Sequence, residues 1–256
     1  MRALNAWLVA VYTFLYLPIA VLMVLSFNKS GMPTAWGGFS LEWYGALVAN
    51  PKITGAAWNS LVVAFWATGI STVLGTLLAL GVERAKPVPA REALLFAPMI
   101  IPDIVLAIAL LSFFTLLKFT LGLHSIIAAH VVFNLAFVCA VVRARLKSYD
   151  WSLNEASRDL GATSFTTFRR ITLPLIGPSV IAAALLAFTL SIDEFIIAYF
   201  TAGAGQASTT LPMQIYAMIR FGVTPEINAM ASVVMVVSFI MIFTAQRLNR
   251  GRFPAA

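Results

Sequence analysis

The chain has 256 residues, 61% of them hydrophobic and 11% charged, with a mean hydropathy of +0.91. A soluble domain carries charge on roughly a quarter of its residues, so the composition excludes a water-soluble fold and places the chain in lipid. The single cysteine, Cys139 in an apolar run, excludes an internal disulfide framework, and no pair of Cys or His stands at a metal-ligand spacing. A formal charge of +7 raises nucleic acid as a partner, a reading that the distribution of the basic residues decides against.

A hydrocarbon core about 30 Å thick needs about 20 apolar residues to cross it. Six runs meet that length, approximately 7–27, 59–82, 94–117, 125–142, 178–200 and 228–246. The first is too long for the apolar part of a signal peptide and has no small-x-small cleavage site, so it is expected to be a retained anchor. Alternating the connections puts Arg2, Arg84, Lys86, Arg91, Arg143, Arg145, Lys147, Arg158, Arg169, Arg170, Arg247, Arg250 and Arg252 on one side. Only Lys29, Lys52, Lys118 and Arg220 fall on the other. That asymmetry predicts both termini in the cytoplasm.

Two outer connections exceed what a hairpin needs. In 28–57, Ser40 before Leu41, Glu42, Trp43 and Tyr44 predicts a short capped helix at the interface with aromatic anchors. In 201–227, Gly203, Ala204 and Gly205 precede a predicted helix over 211–220 that stops near Gly222 and Pro225. No internal repeat is visible, which argues against a secondary transporter built on inverted repeats.

The longest cytoplasmic connection, 143–177, has a helical pattern. Ser152 with Glu155 reads as a capping box that starts a helix at Leu153. Gly161 is placed to close that helix at positive φ. Thr163 or Ser164 caps a second helix that runs to about Thr172, before Pro174. Physics alone leaves a solvated basic loop lying on headgroups as an equal alternative. The residues Glu155, Ala156, Ser157, Gly161, Ile171, Leu173 and Pro174, at these spacings, resemble the EAA loop of ABC importer permeases. That family usually has Ala where Ser157 stands.

The resemblance implies an all-α integral membrane protein with six transmembrane helices of the type I ABC importer permease (MetI-like) kind. A coupling helix between spans 4 and 5 docks on an ATPase, and the whole chain is one transmembrane permease domain. It implies a second homologous permease, two ATPase subunits and a periplasmic or extracellular substrate-binding protein as partners. No Gly-x-x-x-x-Gly-Lys-Ser/Thr phosphate cradle is present, so ATP and Mg belong to the partner ATPase and this chain binds no cofactor.

Ionisable residues inside the apolar runs are few. Asp103 follows Pro102 in the third run, and Asp193 and Glu194 lie in the fifth, with no Lys or Arg inside the runs to neutralise them. A central Asp costs roughly 2.5–3.5 kcal/mol on insertion scales, so each is expected to face a cavity, a partner or water. The bland alternative is a protonated carboxyl bonded to backbone or across a helix interface. His130 and Asn134, at i and i+4 in the fourth run, are the other polar candidates. Acids at two depths suit a cation with several amines. Phe195, Tyr199 and Phe200 offer cation–π contacts or plain packing.

The run Leu190, Ser191, Ile192, Asp193, Glu194, Phe195, ending at Phe200, Thr201, Ala202, Gly203, resembles the fifth span of spermidine/putrescine permeases of the PotC type. Pro102, Asp103, Ile104, Val105 and Ala107 resemble the same proteins, as do Tyr16, Leu17 and Pro18 with Ser26, Phe27 and Asn28. So does the run Gly222, Val223, Thr224, Pro225, Glu226, Ile227, Asn228. Where Glu194 stands, those permeases usually carry Asp. The resemblance implies polyamine import along a path that includes Asp103, Asp193, Glu194, Tyr199 and Asn134. Import of another small solute such as iron, a phosphonate or an opine is the alternative, followed by a proton-coupled secondary transporter. An intramembrane enzyme lacks a nucleophile–base or metal set.

Overall fold

The computed structural model describes residues 2–31, 35–220, 222 and 224–250, with side chains from residue 5 to residue 240 of these. Arg252 and Val223 lie outside the described residues, as do the side chains of Arg2, Arg247 and Arg250. The described chain is helical: α1 (Arg2–Leu25), α2 (Glu42–Ala49), α3 (Pro51–Arg84), α4 (Pro89–Ile100), α5 (Asp103–Leu116), α6 (Leu123–Leu146), α7 (Ser152–Asp159), α8 (Ser164–Thr167), α9 (Leu173–Asp193), α10 (Ile196–Thr201), α11 (Leu211–Ile219) and α12 (Pro225–Arg250). Among the described residues, four helical stretches are long and apolar enough to cross a membrane, or five if the bent pair α4 and α5 counts as one crossing. In α12 the apolar described stretch, Pro225–Ile240, is shorter than a span. The chain divides into two compact units, Met1–Thr54 with Gln214–Ala256, and Gly55–Met213.

In the first unit α12 packs on α1 and α2. The apolar window of α1 is wholly unburied, as befits a helix whose solvent is lipid rather than water. The loop after α1 is organised by Asn28, which is fully buried. Its amide donates to the Ala35 carbonyl at 2.8 Å and accepts from the N–H groups of Gly37 at 2.7 Å and Ser30 at 3.1 Å. The predicted short helix is present as α2, and Ser40 Oγ accepts from the Glu42 N–H at 3.1 Å. Its aromatic residues differ from the expected interface anchors: the Trp43 indole donates to the Asn28 carbonyl at 2.8 Å, and Tyr44 and Ser26 share a 2.7 Å hydrogen bond. Each ring's polar end thus finds its partner in the loop.

In the second unit α6 is the central element. On α3, the residues Ala64, Ala67, Ser71, Gly75 and Ala79 recur at three- and four-residue spacing and are buried, the small-residue stripe by which membrane helices approach closely. A Cβ at Gly75 would stand 2.7 Å from Val138 Cγ1 of α6, so only glycine fits there. Val63 clusters with Ile126, and Ala79 and Leu80 with Val138, Cys139 and Val142, so α3 and α6 run side by side in the same direction. Ile176, Ala183 and Ala187 of α9 complete the core against α6. At its C-terminal end Arg143 binds Glu92 through both guanidinium NH2 groups, at 2.5 and 2.8 Å, and Glu83 through Nε at 3.0 Å. One side chain of α6 therefore ties down α3 and α4.

Two of the predicted spans are not continuous. The run 94–117 is two helices bent by 107° at Ile101–Pro102. Pro102 lacks the N–H needed to continue the ladder and holds Ile101 extended, at φ −70° and ψ 133°. The run 178–200 breaks at Glu194, whose ψ of 118° is extended, and resumes as α10. Neither Pro nor Gly stands at this second break; Glu194 Oε1 accepts the Ile197 N–H at 2.8 Å and so starts the new helix as a cap. The opposite correction applies at Pro174, where a helix end was predicted. Helix continues from Ser164 to Asp193, because a π-helical turn at Phe168–Thr172 spreads the carbonyls that the Pro174 ring would meet.

Two candidate sites: an interrupted acidic helix and a polar turn

The predicted acids stand at the two breaks. Asp103 is the first residue of α5, Asp193 the last of α9, and Glu194 the extended residue between α9 and α10. Helices α5 and α10 pack on each other with Leu106, Leu110 and Ile197 in one cluster, so the break that opens α5 and the break that precedes α10 lie near one another. Asp193 is exposed, and Asp103 and Glu194 are half-buried. The ion pairs among the described residues both belong to Arg143, and neither involves these three acids. Tyr199 of α10, half exposed, packs against Phe195 with the rings tilted and their centres 5.4 Å apart. Broken backbone is tolerated at membrane depth where it lines a cavity or is buried in protein, and breaks of this kind frame ion and solute sites in membrane transporters.

Asn134 is not part of this group. It is fully buried in α6, and neither of its amide atoms has a hydrogen-bond partner among the described residues. His130, one turn earlier and 1% exposed, shares a 2.7 Å hydrogen bond with Ser191 in the last turn of α9. Further along, Ser125 Oγ donates to the Thr201 carbonyl at 2.6 Å. Gly203, at φ +76°, passes so close to Leu121 that a Cβ would stand 2.8 Å from the Leu121 carbonyl oxygen. Ser125 and Ser191 were missed by sequence reading, since a serine in an apolar helix gives no sign of whether its hydroxyl bonds its own turn or a neighbour.

The second site is the turn that joins α6 to α9. Helix α7 begins at Ser152 rather than Leu153, and no capping box forms. Asp150 takes that role: its carboxylate accepts the Ser152 N–H at 3.0 Å, and bonds from the Ser152 hydroxyl and amide hold its pKa below the usual carboxylate value. The predicted end is present. Gly161 has φ +83°, and its N–H reaches the Arg158 carbonyl at 2.8 Å while the Ala162 N–H reaches Ser157 at 3.1 Å. These two bonds make the paired closure that requires a left-handed residue between them. Thr163 caps α8 by accepting from the Thr166 N–H at 3.2 Å.

The inner side of this turn is pinned. The Tyr149 hydroxyl donates to Asn154 Oδ1 at 2.6 Å, Thr172 Oγ1 lies 3.4 Å from the same oxygen, and Ser157 and Thr167 share a 2.9 Å bond. Arg84 of α3 sits 4.9 Å above the Trp151 ring, which stacks edge-on against Tyr149. Ser157 is therefore more than a small residue here, because its hydroxyl ties α7 to α8. Glu155, Ala156 and Gly161 are exposed, Ile171 and Leu173 are half-buried, and Pro174 is exposed. The tip carries two exposed apolar side chains that the motif did not flag, Leu160 at 89% and Phe165 at 70%.

A fold of membrane-length helices, an interrupted acidic segment and an outward turn of this pattern defines a membrane transport component. The signature of the family described as "Binding-protein-dependent transport system inner membrane component" matches residues 71–253, and the chain belongs to that family.

It is 40% identical over 250 residues to "Spermidine/putrescine transport system permease protein PotC" of Escherichia coli (strain K12), covering 97% of this chain and 94% of that protein. To "Putrescine transport system permease protein PotI" of the same organism it is 38% identical over 254 residues, covering 94% and 90%. Among solved structures, a bacterial ABC transporter that imports the acidic polysaccharide alginate matches with TM-score 0.78 at 17% identity, over 99% of this chain and 96% of that one. The MetNI methionine ABC transporter in an inward-facing conformation matches with TM-score 0.64 at 21% identity, over 84% and 100%. These likenesses establish the MetI-like ABC permease fold.

Proposed function

We propose that the chain is a pore-forming permease subunit of an ATP-driven importer for polyamines, spermidine and putrescine. The observation that carries this reading is the placement of Asp103, Asp193 and Glu194 at two helix breaks, with no Lys or Arg paired to any of them among the described residues. Such a set of acids repels an anion and offers charge-assisted hydrogen bonds to ammonium groups as they lose hydration. Tyr199, exposed on the short helix α10 that follows Glu194, adds a ring face for a cation. The names of the relatives at 38–40% identity support the same solute class.

The rest of the assembly follows from the same reading. A second homologous permease completes the path, two ATPase subunits hold ATP and Mg, and an external binding protein delivers the solute. On this reading the chain crosses six times, with α4–α5 counted as one crossing and α12 as another, and both termini and the turn 147–163 are cytoplasmic, which the asymmetry of the basic residues supports. There Leu160 and Phe165 present apolar area to the ATPase around Glu155, Ala156 and Gly161, and closure of the ATPases on ATP pulls on a turn pinned to α3 and α9. Asn134 faces the path only if α6 turns or shifts, since it is buried in this conformation.

The test is uptake of labelled spermidine and putrescine into proteoliposomes that hold the complete complex, with and without ATP. ATP-dependent accumulation of either amine is expected. ATP-dependent accumulation of iron, a phosphonate or an opine in its place would overturn the solute and leave the importer standing.

A further inference from the structure

The break at Glu194 and Phe195 frees its backbone from the helical ladder, yet the stretch is held from both sides by one unbroken helix. On the α9 side, Ser191 and His130 Nδ1 share a 2.7 Å hydrogen bond, with 3% and 1% of the two residues exposed. On the α10 side, Ser125 Oγ donates to the Thr201 carbonyl at 2.6 Å and accepts the Gly122 N–H at 2.7 Å. Between these ties, Ala129 and Phe133 pack with Ile197, and Ile126 with Ala198. Both anchoring residues belong to α6, which runs from Leu123 to Leu146 without interruption.

A helix break gives two residues new φ and ψ freedom, and small rotations there swing every side chain beyond it. With hydrogen bonds on a rigid neighbour at each end, that freedom is removed, and the carboxylates of Asp193 and Glu194 keep one direction. We infer that Ser125 and His130 are positioning residues for transport: they touch no solute, and they fix the interrupted segment so that its acids meet the solute preorganised. The inference rests on reading those acids as part of the path. Preorganisation acts on affinity, because a segment that must be ordered on binding weakens it. Loss of a tie therefore raises KM more than it lowers the maximal rate.

The experiment uses the complete complex in lipid and the variants His130→Leu, His130→Asn and Ser125→Ala. Asparagine keeps a polar atom at the δ position, where His130 Nδ1 meets Ser191, and leucine does not. Two readouts are taken: hydrogen exchange of the amides in 194–203 without solute, and the KM and maximal rate of ATP-driven spermidine uptake. For His130→Leu and Ser125→Ala we expect exchange roughly tenfold faster in that segment. For the same variants KM should rise roughly fivefold with the maximal rate within about twofold, and His130→Asn should recover both readouts.

Wild-type exchange and KM in the leucine and alanine variants would overturn the inference. So would variants that differ only in how much complex assembles. If wild-type protein moves no polyamine at all, the proposed solute falls, and the exchange measurement still decides whether α6 holds the segment.

Discussion

The turn at 149–172 and the interrupted stretch at 191–201 both depart from regular α-helix, and they differ in what they bond internally and what they present outside. In the turn, buried polar side chains bond one another: Tyr149 with Asn154, and Ser157 with Thr167. What it leaves outside includes two large apolar side chains, Leu160 and Phe165, set among charged ones such as Glu155, Arg158 and Asp159. In the interrupted stretch the neutral hydroxyls of Ser191 and Thr201 are bonded inward, and the outward groups are Asp193 and, in part, Glu194. A rigid body with an apolar tip suits contact with protein, because buried apolar area drives association. A rigid body with open carboxylates suits contact with a solvated cation that must let go again.

If that contrast is right, the largest effect belongs to Asp193→Asn. The change keeps size and hydrogen-bonding shape and removes the charge. A hydrogen bond to a charged group contributes about 1.5–3 kcal/mol, so ATP-driven polyamine uptake should fall roughly ten- to a hundredfold. Assembly with the ATPases, followed by co-purification, should not change. Uptake at the wild-type rate would remove Asp193 from the path and break the comparison on the acid side.

Next comes Gly161→Pro, set against Gly161→Ala. Proline cannot take φ +83° and lacks the N–H that binds the Arg158 carbonyl, so the closure of α7 is lost. Alanine keeps the N–H, and nothing lies within 4 Å of a Cβ there, so its cost is the left-handed conformation alone, about 1–2 kcal/mol. The proline variant should bind the ATPases poorly and lose ATP-coupled uptake, and the alanine variant should keep most of both. Binding of solute to the isolated outer machinery should be the same in either. Equal loss in the two variants would mean that the chain's path through the turn is not what the partner reads, and Glu155→Lys, which alters only an exposed charge, would then separate surface chemistry from shape.

How far the sequence shows these two regions differs for a physical reason. Gly161 and Thr163 were legible because a positive φ and a cap hydroxyl are local demands met by particular residues. The breaks were not, because the search for spans averages hydropathy over about 19 residues and sees composition rather than backbone. Pro102 was visible and was read as part of a continuous span, although its ring forbids helix at Ile101. Glu194 gave a fainter sign, a carboxylate three residues before Ile197 in a run with no other reason to carry it. The acids themselves stood out at once, since ionisable groups in apolar runs are costly. Their placement at two breaks brought near one another by the packing of α5 on α10 did not, because it depends on tertiary structure. Ser152 misled in the other direction: it fits the capping box with Glu155, and Asp150 two residues earlier wins the amide with a charged acceptor.

The smallest predicted effect probes whether the turn is rigid all the way through. Tyr149→Phe removes the hydroxyl that donates to Asn154 Oδ1 and keeps the ring against Trp151. Asn154 is buried and its Nδ2 already has no hydrogen-bond partner among the described residues, so Oδ1 would retain only Thr172 at 3.4 Å. Leaving a buried acceptor poorly served costs about 1–3 kcal/mol, which predicts exchange of the amides in α7 roughly five- to a hundredfold faster in the phenylalanine variant. ATPase binding should weaken less than this, because Leu160 and Phe165 keep their exposure. Uptake per ATP hydrolysed should fall further than binding does, since a loosened knot lets the turn move without taking α9 with it. A variant that exchanges faster in α7 yet transports with unchanged coupling would show that force reaches α9 through the continuous helix from Ser164 to Asp193 and not through the Tyr149–Asn154–Thr172 contacts.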